Sequence, residues 1–562
     1  MGKMMDRMHA RAISRRTLLA LGSVAAPAAL TACTLPGRGN SSTAANGEDT
    51  LRISVGQLDS IDPCRARTGA ALQVASQVFD PLMAFDMETF RPAPKAALIQ
   101  QTSDDARTFT FRLRHASFHD GTTVTSADFK RAWGRLVAAG ADGSGEQAGA
   151  VATDVAPSYL LSLVEGYNDV RSGAAKELSG ISCPDDITFI VRLSQPYADF
   201  PAICTHPALA PIPQLATDDE KTFMQKPVGN GPYQLARAWK SDGDVVLDSF
   251  EDYYGVPGSV EHVRLRPRVS TNDAFRDLTA RSLDVAQVPV GQVPATRRDI
   301  GAPDDGYTAV DGGRFLDGTT LYSYFLVVNT GRDPLSSLSF RRALSRAIDR
   351  EGLCSTVFNG LREPAYNILP PALCEGEPEA WLATDLDVDA ASEVLGEFAP
   401  ASGDGISLGI LCSEDGAHQK VAAYLQTALK AVGVTVEIDT VPAGKYQDKL
   451  EAGAFDLALM GWTPDYPARD AVLYPLFASG SPHNYAGYAD EDIDAALTTA
   501  RQTVDDDERA RALDDICRRV GEALPVIPLG YGVLGLAVSS SIEHISADPR
   551  GVVSAASAEF SK

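Results

Sequence analysis

The 562-residue sequence is short of positive charge: 50 Lys and Arg stand against 74 Asp and Glu, a formal net charge of −24. That balance disfavours nucleic-acid binding, which needs a basic surface to displace phosphate counterions. It suits solubility on an outer surface better than it identifies a cationic partner. No Cys-x-x-Cys occurs, so a zinc ribbon and a thioredoxin-like motif are absent. Neither G-x-x-x-x-G-K-[ST] nor H-E-x-x-H occurs, which removes the usual support for nucleotide binding and for a zincin. No apolar run approaches the ~20 residues that cross a bilayer, and no fixed-period repeat is evident. Nothing in the residues calls for a cofactor.

The first stretch is different in kind. Lys3, Arg7, Arg11, Arg15 and Arg16 precede an apolar segment from Leu18 to Leu30, and Leu30-Thr31-Ala32-Cys33 follows. This order reads as a secretory signal (1–32) ending in a lipobox, with Cys33 as the lipidated residue. Ser14-Arg15-Arg16-Thr17-Leu18-Leu19 fits a twin-arginine address, although Arg pairs also occur in the charged region of a general export signal. Acyl chains on Cys33 would hold the protein to the membrane's outer face at about 0.8 kcal/mol per buried CH₂. Residues 33–49, rich in Gly, Ser, Asn and Ala, read as a flexible lipid-anchored tether.

About 510 residues remain, too many for one hydrophobic core, so two or three domains are expected. Thr108 to Arg114 alternates polar and apolar, putting Phe109, Phe111 and Leu113 on one face of a strand. Thr125 and Asp128 form a capping pair for a helix that buries Phe129, Ala132, Trp133, Leu136 and Val137. Residues 138–157 are rich in Gly, Ala and Asp and read as an exposed excursion. From Ile406 the pattern is α/β: a strand at 406–411, a helix at 417–432 stopped by Gly433, a strand through Val434, Val436 and Ile438, a helix at 443–452 and a strand at 456–460. Ligands of open α/β sheets sit beyond the strands' carboxyl ends. The loop expected there is Gly461-Trp462-Thr463-Pro464-Asp465-Tyr466.

Other clusters read as structure. His115 and His119 follow a strand pattern, where four residues span about 13 Å, too far for one metal, so they read as surface or turn residues. Gly229-Asn230-Gly231 reads as a tight turn into a strand at Tyr233. Asp505 to Glu508 suits a helix start. Beyond Cys33 the cysteines number seven, with Cys183–Cys204 and Cys354–Cys374 the pairs that spacing suggests.

Six pieces in order resemble the family 5 extracellular solute-binding proteins, particularly the oligopeptide-binding subgroup. They are Ser60-Ile61-Asp62-Pro63, Val78 to Leu82, Phe109 to Arg114 with Phe118 to Thr122, Gly229 to Tyr233, Asn329 with Phe340 to Arg350, and Gly461 to Tyr466. The resemblance implies an α/β, periplasmic-binding-protein-like fold of two lobes with a hinge. Lobe I would comprise 50–90, 225–320 and 525–562 with an extra subdomain at 91–224, and lobe II would be 321–524. It also implies a monomer that captures peptides and delivers them to ABC permease subunits driven by separate ATPase subunits. By the same resemblance Asp465 pairs with the peptide's α-ammonium and the backbone near Gly461 and Trp462 ladders with the peptide. Trp462 offers a ring to the ligand or is core, Thr463 and Tyr466 belong to the same loop, and His418 approaches the peptide's carboxylate or is a surface residue. Where some members carry an arginine two residues before the Gly-Trp pair, Leu459 stands here. The same fold with a metal chelate, a sugar or another small solute is the alternative. A secreted hydrolase is a third reading, for which no nucleophile and base pair is visible.

Overall fold

A computed structural model of the chain describes residues 49–561, apart from 88, 90, 140–156, 242, 269, 375, 377 and 400–404. The signal, Cys33, nearly all of the tether and most of the 138–157 excursion lie outside the described residues. Among the described residues no helix is long and apolar enough to cross a membrane.

Two large hydrophobic cores organise residues 49–561. The first surrounds a seven-stranded sheet. Its central strand Thr50–Val55 is flanked in parallel by His262–Pro267 and Val285–Gln287. This is the sheet of lobe I. The same core continues into the four-stranded antiparallel sheet of the extra subdomain, where Thr108–Leu113 buries Phe109, Phe111 and Leu113 as the alternation requires. Helix Ser126–Ala139 follows, and Asp128 accepts from the Thr125 backbone N–H (2.7 Å) and hydroxyl (2.8 Å), the capping arrangement its sequence signals.

The second core surrounds a six-stranded mixed sheet whose strand order is 362–364, 526–533, 319–328, 457–462, 406–413, 434–441. Its parallel half is the α/β unit read from the sequence: strand Ile406–Ser413, helix Gly416–Ala431, strand Val434–Val441, helix Ala443–Glu451 and strand Leu457–Trp462. Gly433 takes φ +81° between the first helix and the next strand, a conformation that favours glycine. Strand Val526–Val533, expected to open the last piece of lobe I, instead lies inside this sheet, paired with Thr319–Val328. All eight of its residues are buried, so its apolar surface belongs to the second core.

The chain passes between the two sheets twice, at adjacent places. Phe315–Leu316 pairs with Leu536–Ala537 in the first sheet, and Thr319 pairs with Val533 in the second. The crossings are therefore Asp317-Gly318 and Leu534-Gly535, joined by a Leu534 N–H to Gly318 carbonyl hydrogen bond of 3.1 Å. Two short side-by-side crossings are the geometry of a hinge.

Most of the pieces that carry the family resemblance hold this frame together. Asp62 is fully buried and receives Arg135 through two bonds of 2.9 and 2.6 Å. Asp80 accepts from the Tyr253 and Tyr254 hydroxyls at 2.7 Å each, and its backbone is bracketed by the Asn230 amide. Arg350, 2% exposed, binds the carbonyls of Pro528, Ser345, Ile348 and Thr384. His119 is not a surface residue: its ring accepts from the Gly229 N–H (3.1 Å), its other nitrogen faces the Gly231 carbonyl, and burial lowers its pKa to about 4. It thereby fixes the turn into strand Tyr233–Leu235. Cys183, Cys204 and Cys354 are free thiols, so neither disulfide suggested by spacing forms.

Candidate functional site

Gly461 and Trp462 are not in a loop. They end strand Leu457–Trp462, opposite Tyr324 and Ser323. On its other side this strand pairs with Ile406–Ser413 only at Leu457 and Ala458. The stretch from Met460 onward thus offers backbone along one edge, the form that adds an extended guest strand. A Cβ on Gly461 would lie 2.1 Å from the Tyr322 hydroxyl and 2.4 Å from its ring, so only glycine admits that ring here.

Beyond the strand the chain turns through Pro464 and presents Asp465. Its carboxylate accepts a hydrogen bond from the hydroxyl of Tyr159, which belongs to the extra subdomain. A carboxylate of one lobe thereby meets a phenol of the other, a contact that sequence alone gave no means of finding across 306 positions. Asp465 keeps open surface, yet protein stands around it on most sides, and that desolvation raises its pKa above the ordinary aspartate value. The Tyr159 hydrogen bond and the His483 ring pull in the opposite direction.

The remaining expected residues divide. Tyr466 is half-buried and its hydroxyl meets that of Tyr197 at 3.0 Å, a second contact between subdomain and second lobe. Trp462 donates from Nε1 to the Ala471 carbonyl (2.9 Å) and its ring centre lies 5.2 Å from that of His483. It is anchored as a wall, with part of its ring open. Thr463 is exposed and makes no side-chain bond among the described residues. His418 is partly buried at the start of helix Gly416–Ala431, with Nδ1 3.0 Å from the Ser413 hydroxyl and its ring centre 5.5 Å from that of Tyr324. Burial lowers its pKa, favouring the neutral ring.

Around Tyr197 the lobes are bridged by charge. Asp199 of the subdomain accepts from Arg509 at 2.8 Å, with side-chain exposures of 15% and 11%. Arg501 stacks on Tyr197 at 4.6 Å and on Tyr474 at 4.1 Å. The Ala198 N–H donates to the Arg501 carbonyl at 2.8 Å. A cavity of about 420 Å³ opens beside this bridge, lined by Arg91, Thr102, Asp199, Arg469, Asp506 and Arg509 among others.

Gly405-Ile406-Ser407-Leu408-Gly409 has the spacing of a nucleophile elbow, but Ser407 lies inside a strand paired with Val434–Val441 rather than on a strand-to-helix turn. Among the described residues no group of His, Cys, Asp and Glu could hold a metal ion.

Comparison with known proteins bears on the family and the fold. The profile for bacterial extracellular solute-binding proteins, family 5 middle, matches residues 91–484. The periplasmic oligopeptide-binding protein OppA of Salmonella typhimurium is 25% identical over 541 residues, 93% of this chain and 94% of that protein. Among solved structures, the unliganded open form of MppA, a periplasmic murein tripeptide binding protein, aligns with a TM-score of 0.78 at 21% identity, covering 91% of this chain and 97% of that one. AgaA from A. tumefacien R10, in complex with agropinic acid, aligns with a TM-score of 0.65 at 23% identity over 91% of this chain and 99% of that one. With its two lobes and its profile match in agreement, the chain belongs to the family 5 bacterial extracellular solute-binding proteins, a family of binding proteins rather than enzymes.

Proposed function

We propose that this chain is the lipid-anchored, extracytoplasmic substrate-binding subunit of an ABC importer, capturing peptides between its lobes and delivering them to permease subunits driven by separate ATPases. The observation that carries the cargo is Asp465, a partly desolvated carboxylate facing the other lobe beside an open strand edge. A peptide's α-ammonium supplies the charge such a carboxylate lacks, and its backbone supplies partners for the strand edge without regard to sequence. OppA of Salmonella typhimurium, similar over nearly its whole length, is named for oligopeptide binding, which supports the same cargo. The division of the chain is then lobe I at 50–317 and 535–561, with its extra subdomain at 91–224, and lobe II at 318–534. Cys33 carries the lipid, and the monomer works at the outer face of the membrane.

A second reading keeps the fold and changes the cargo to a small non-peptide solute, and the agropinic acid bound by AgaA favours it. Mass spectrometry of ligand released by denaturing the purified protein separates the two. Short peptides in the eluate are expected, and a non-peptide solute in their place would overturn the peptide assignment.

A further inference from the structure

The described cysteines are all buried or half-buried, and they differ in what surrounds them. The Cys354 thiol points at the Leu529 carbonyl (3.8 Å), and the Cys412 sulfur lies 3.4 Å from the Thr440 hydroxyl. Cys374 and Cys517 differ from these in having each other for neighbours. They line one recess of about 270 Å³ in the second lobe, together with Asn367, Trp381 and Arg469. Burial pushes the Cys517 thiol up to about 12, and the Cys374 sulfur adds to that rise, which places the two within electrostatic reach.

Arg469 explains why they meet. Its Nε donates to the Leu373 carbonyl (2.9 Å) while its Nη1 donates to the Asp514 carboxylate (2.8 Å). One guanidinium thus ties the residue before Cys374 to helix Asp506–Ala523, and Cys517 follows Asp514 by three residues, on the same helix face. The same covering segment returns to this face on either side of Cys374. The Cys517 Sγ lies 3.0 Å from the Asn367 Oδ1, and a Cβ on Gly521, one turn further along, would lie 2.4 Å from the Trp381 ring. Cys517 is fixed in the helix, whereas Cys374 closes the short turn Pro371–Leu373 and belongs to no strand or long helix, so it can adjust. Oxidation would remove the thiol donor from Asn367, whose Oδ1 keeps the Leu369 N–H at 2.9 Å, so no buried acceptor is stranded. Disulfides also persist outside the cytoplasm, where thiols are not kept reduced.

We propose that Cys374 and Cys517 form a disulfide, a covalent staple across the second lobe that the sequence spacing of the cysteines does not suggest. This rests on the extracytoplasmic placement proposed above. The oxidant is a protein or low-molecular-weight disulfide. Cys374 also lines a second recess of about 450 Å³ beside the hinge crossing at Asp317 and Gly318, so an oxidant can approach it from either side. The Cys374 thiolate attacks the oxidant's S–S bond, giving a mixed disulfide and releasing one oxidant thiol. Cys517 then attacks the Cys374 sulfur, forming the Cys374–Cys517 bond and releasing the second. Two protein thiols are oxidised, one oxidant disulfide is reduced, and the protein's two thiol protons pass to the two leaving thiolates. The loop so closed contains Gly461, Trp462 and Asp465, and the staple therefore stabilises the part of the lobe that carries the candidate peptide site.

The test uses the wild-type chain isolated from the outer face of the membrane without reductant and alkylated at once with iodoacetamide. Mass spectrometry after trypsin and Glu-C cleavage is expected to show the Cys374 and Cys517 peptides cross-linked and unalkylated. A second portion, reduced and then incubated with oxidised glutathione, is expected to regain the same cross-link. The bridged protein should melt about 5 °C above the reduced one. That difference should vanish in Cys374→Ala and in Cys517→Ser, the serine keeping a donor for Asn367. Both cysteines alkylated in the isolated chain, or Cys374 joined to another cysteine or to glutathione alone, overturns the proposal. A cross-link that leaves melting unchanged overturns its role as a staple. Absence of the chain from the outer face overturns the extracytoplasmic reading, a failure distinct from that of the disulfide, which the glutathione arm decides on purified protein.

Discussion

Removing Asp199 probes whether the polar bridge between subdomain and second lobe governs how the lobes open. Its carboxylate meets Arg509 at 2.8 Å with both side chains mostly buried. Burial pushes the Asp199 pKa up while Arg509 pulls it down; burial likewise opposes the charge on Arg509, and the Asp199 and Asp506 carboxylates outweigh it to raise the Arg509 pKa. The short contact argues for an ionised pair. Breaking a buried pair from one side costs about 3–5 kcal/mol because the other charge is left without compensation. Arg509 retains the Thr503 carbonyl at 2.9 Å and the Asp506 carboxylate at 2.5 Å, which places Asp199→Ala at the lower end, about 3 kcal/mol. Felt at the interlobe face, that is roughly a 100-fold change in the ratio of open to bridged forms. Small-angle scattering of the ligand-free variant should show a larger radius of gyration than wild type. A double-mutant cycle with Arg509→Ala, followed by thermal melting, should give a coupling of about 2–3 kcal/mol. An unchanged radius together with a coupling below about 0.5 kcal/mol would refute the reasoning.

Two further outcomes follow from the site. Because the Asp465 pKa is raised by desolvation, its free-state carboxylate protonates as pH falls at values above the ordinary 3.8. Affinity for a peptide amine is therefore full at neutral pH and falls by up to about tenfold per pH unit below that raised value, measurable by titration calorimetry from pH 7 to 4. An affinity flat down to pH 4 would contradict it. Gly461→Ala places a Cβ within 2.4 Å of the Tyr322 ring, whose face carries Arg362, so the ring has to shift. A loss of about 1–3 kcal/mol in stability is expected, with Tyr322→Leu relieving most of it in the double variant, as read by chemical denaturation.

The sequence disclosed what is local. Strand Thr108–Leu113, helix Ser126–Ala139 and the α/β unit from Ile406 to Trp462 each carry a period, a cap or a glycine stop within a few residues, and each forms as read. What pairs over long separations was not legible. Strand Val526–Val533 is apolar on both faces and carries no mark of which sheet it enters, and only its pairing with Thr319–Val328 decides. Gly461 and Trp462 looked like loop because the antiparallel partner that extends their strand lies more than a hundred residues earlier. Tyr159 left no signal, since its importance is a hydroxyl aimed at a carboxylate on the other lobe. Cysteine spacing failed because proximity in sequence does not bring two thiols face to face.

The most direct test is calorimetry of Asp465→Asn beside wild type, with one short peptide offered with a free and with an acetylated amine. The side chains are nearly isosteric and Tyr159 still finds an oxygen to which it can donate, so the fold should persist while the charge is lost. About a 30- to 150-fold weakening is expected for the free amine in the variant, matching a partly shielded ion pair of about 2–3 kcal/mol, and the acetylated peptide should bind both proteins equally poorly. Wild-type affinity that ignores acetylation, and a variant within threefold of wild type, would contradict a carboxylate at position 465 holding the amine of a peptide.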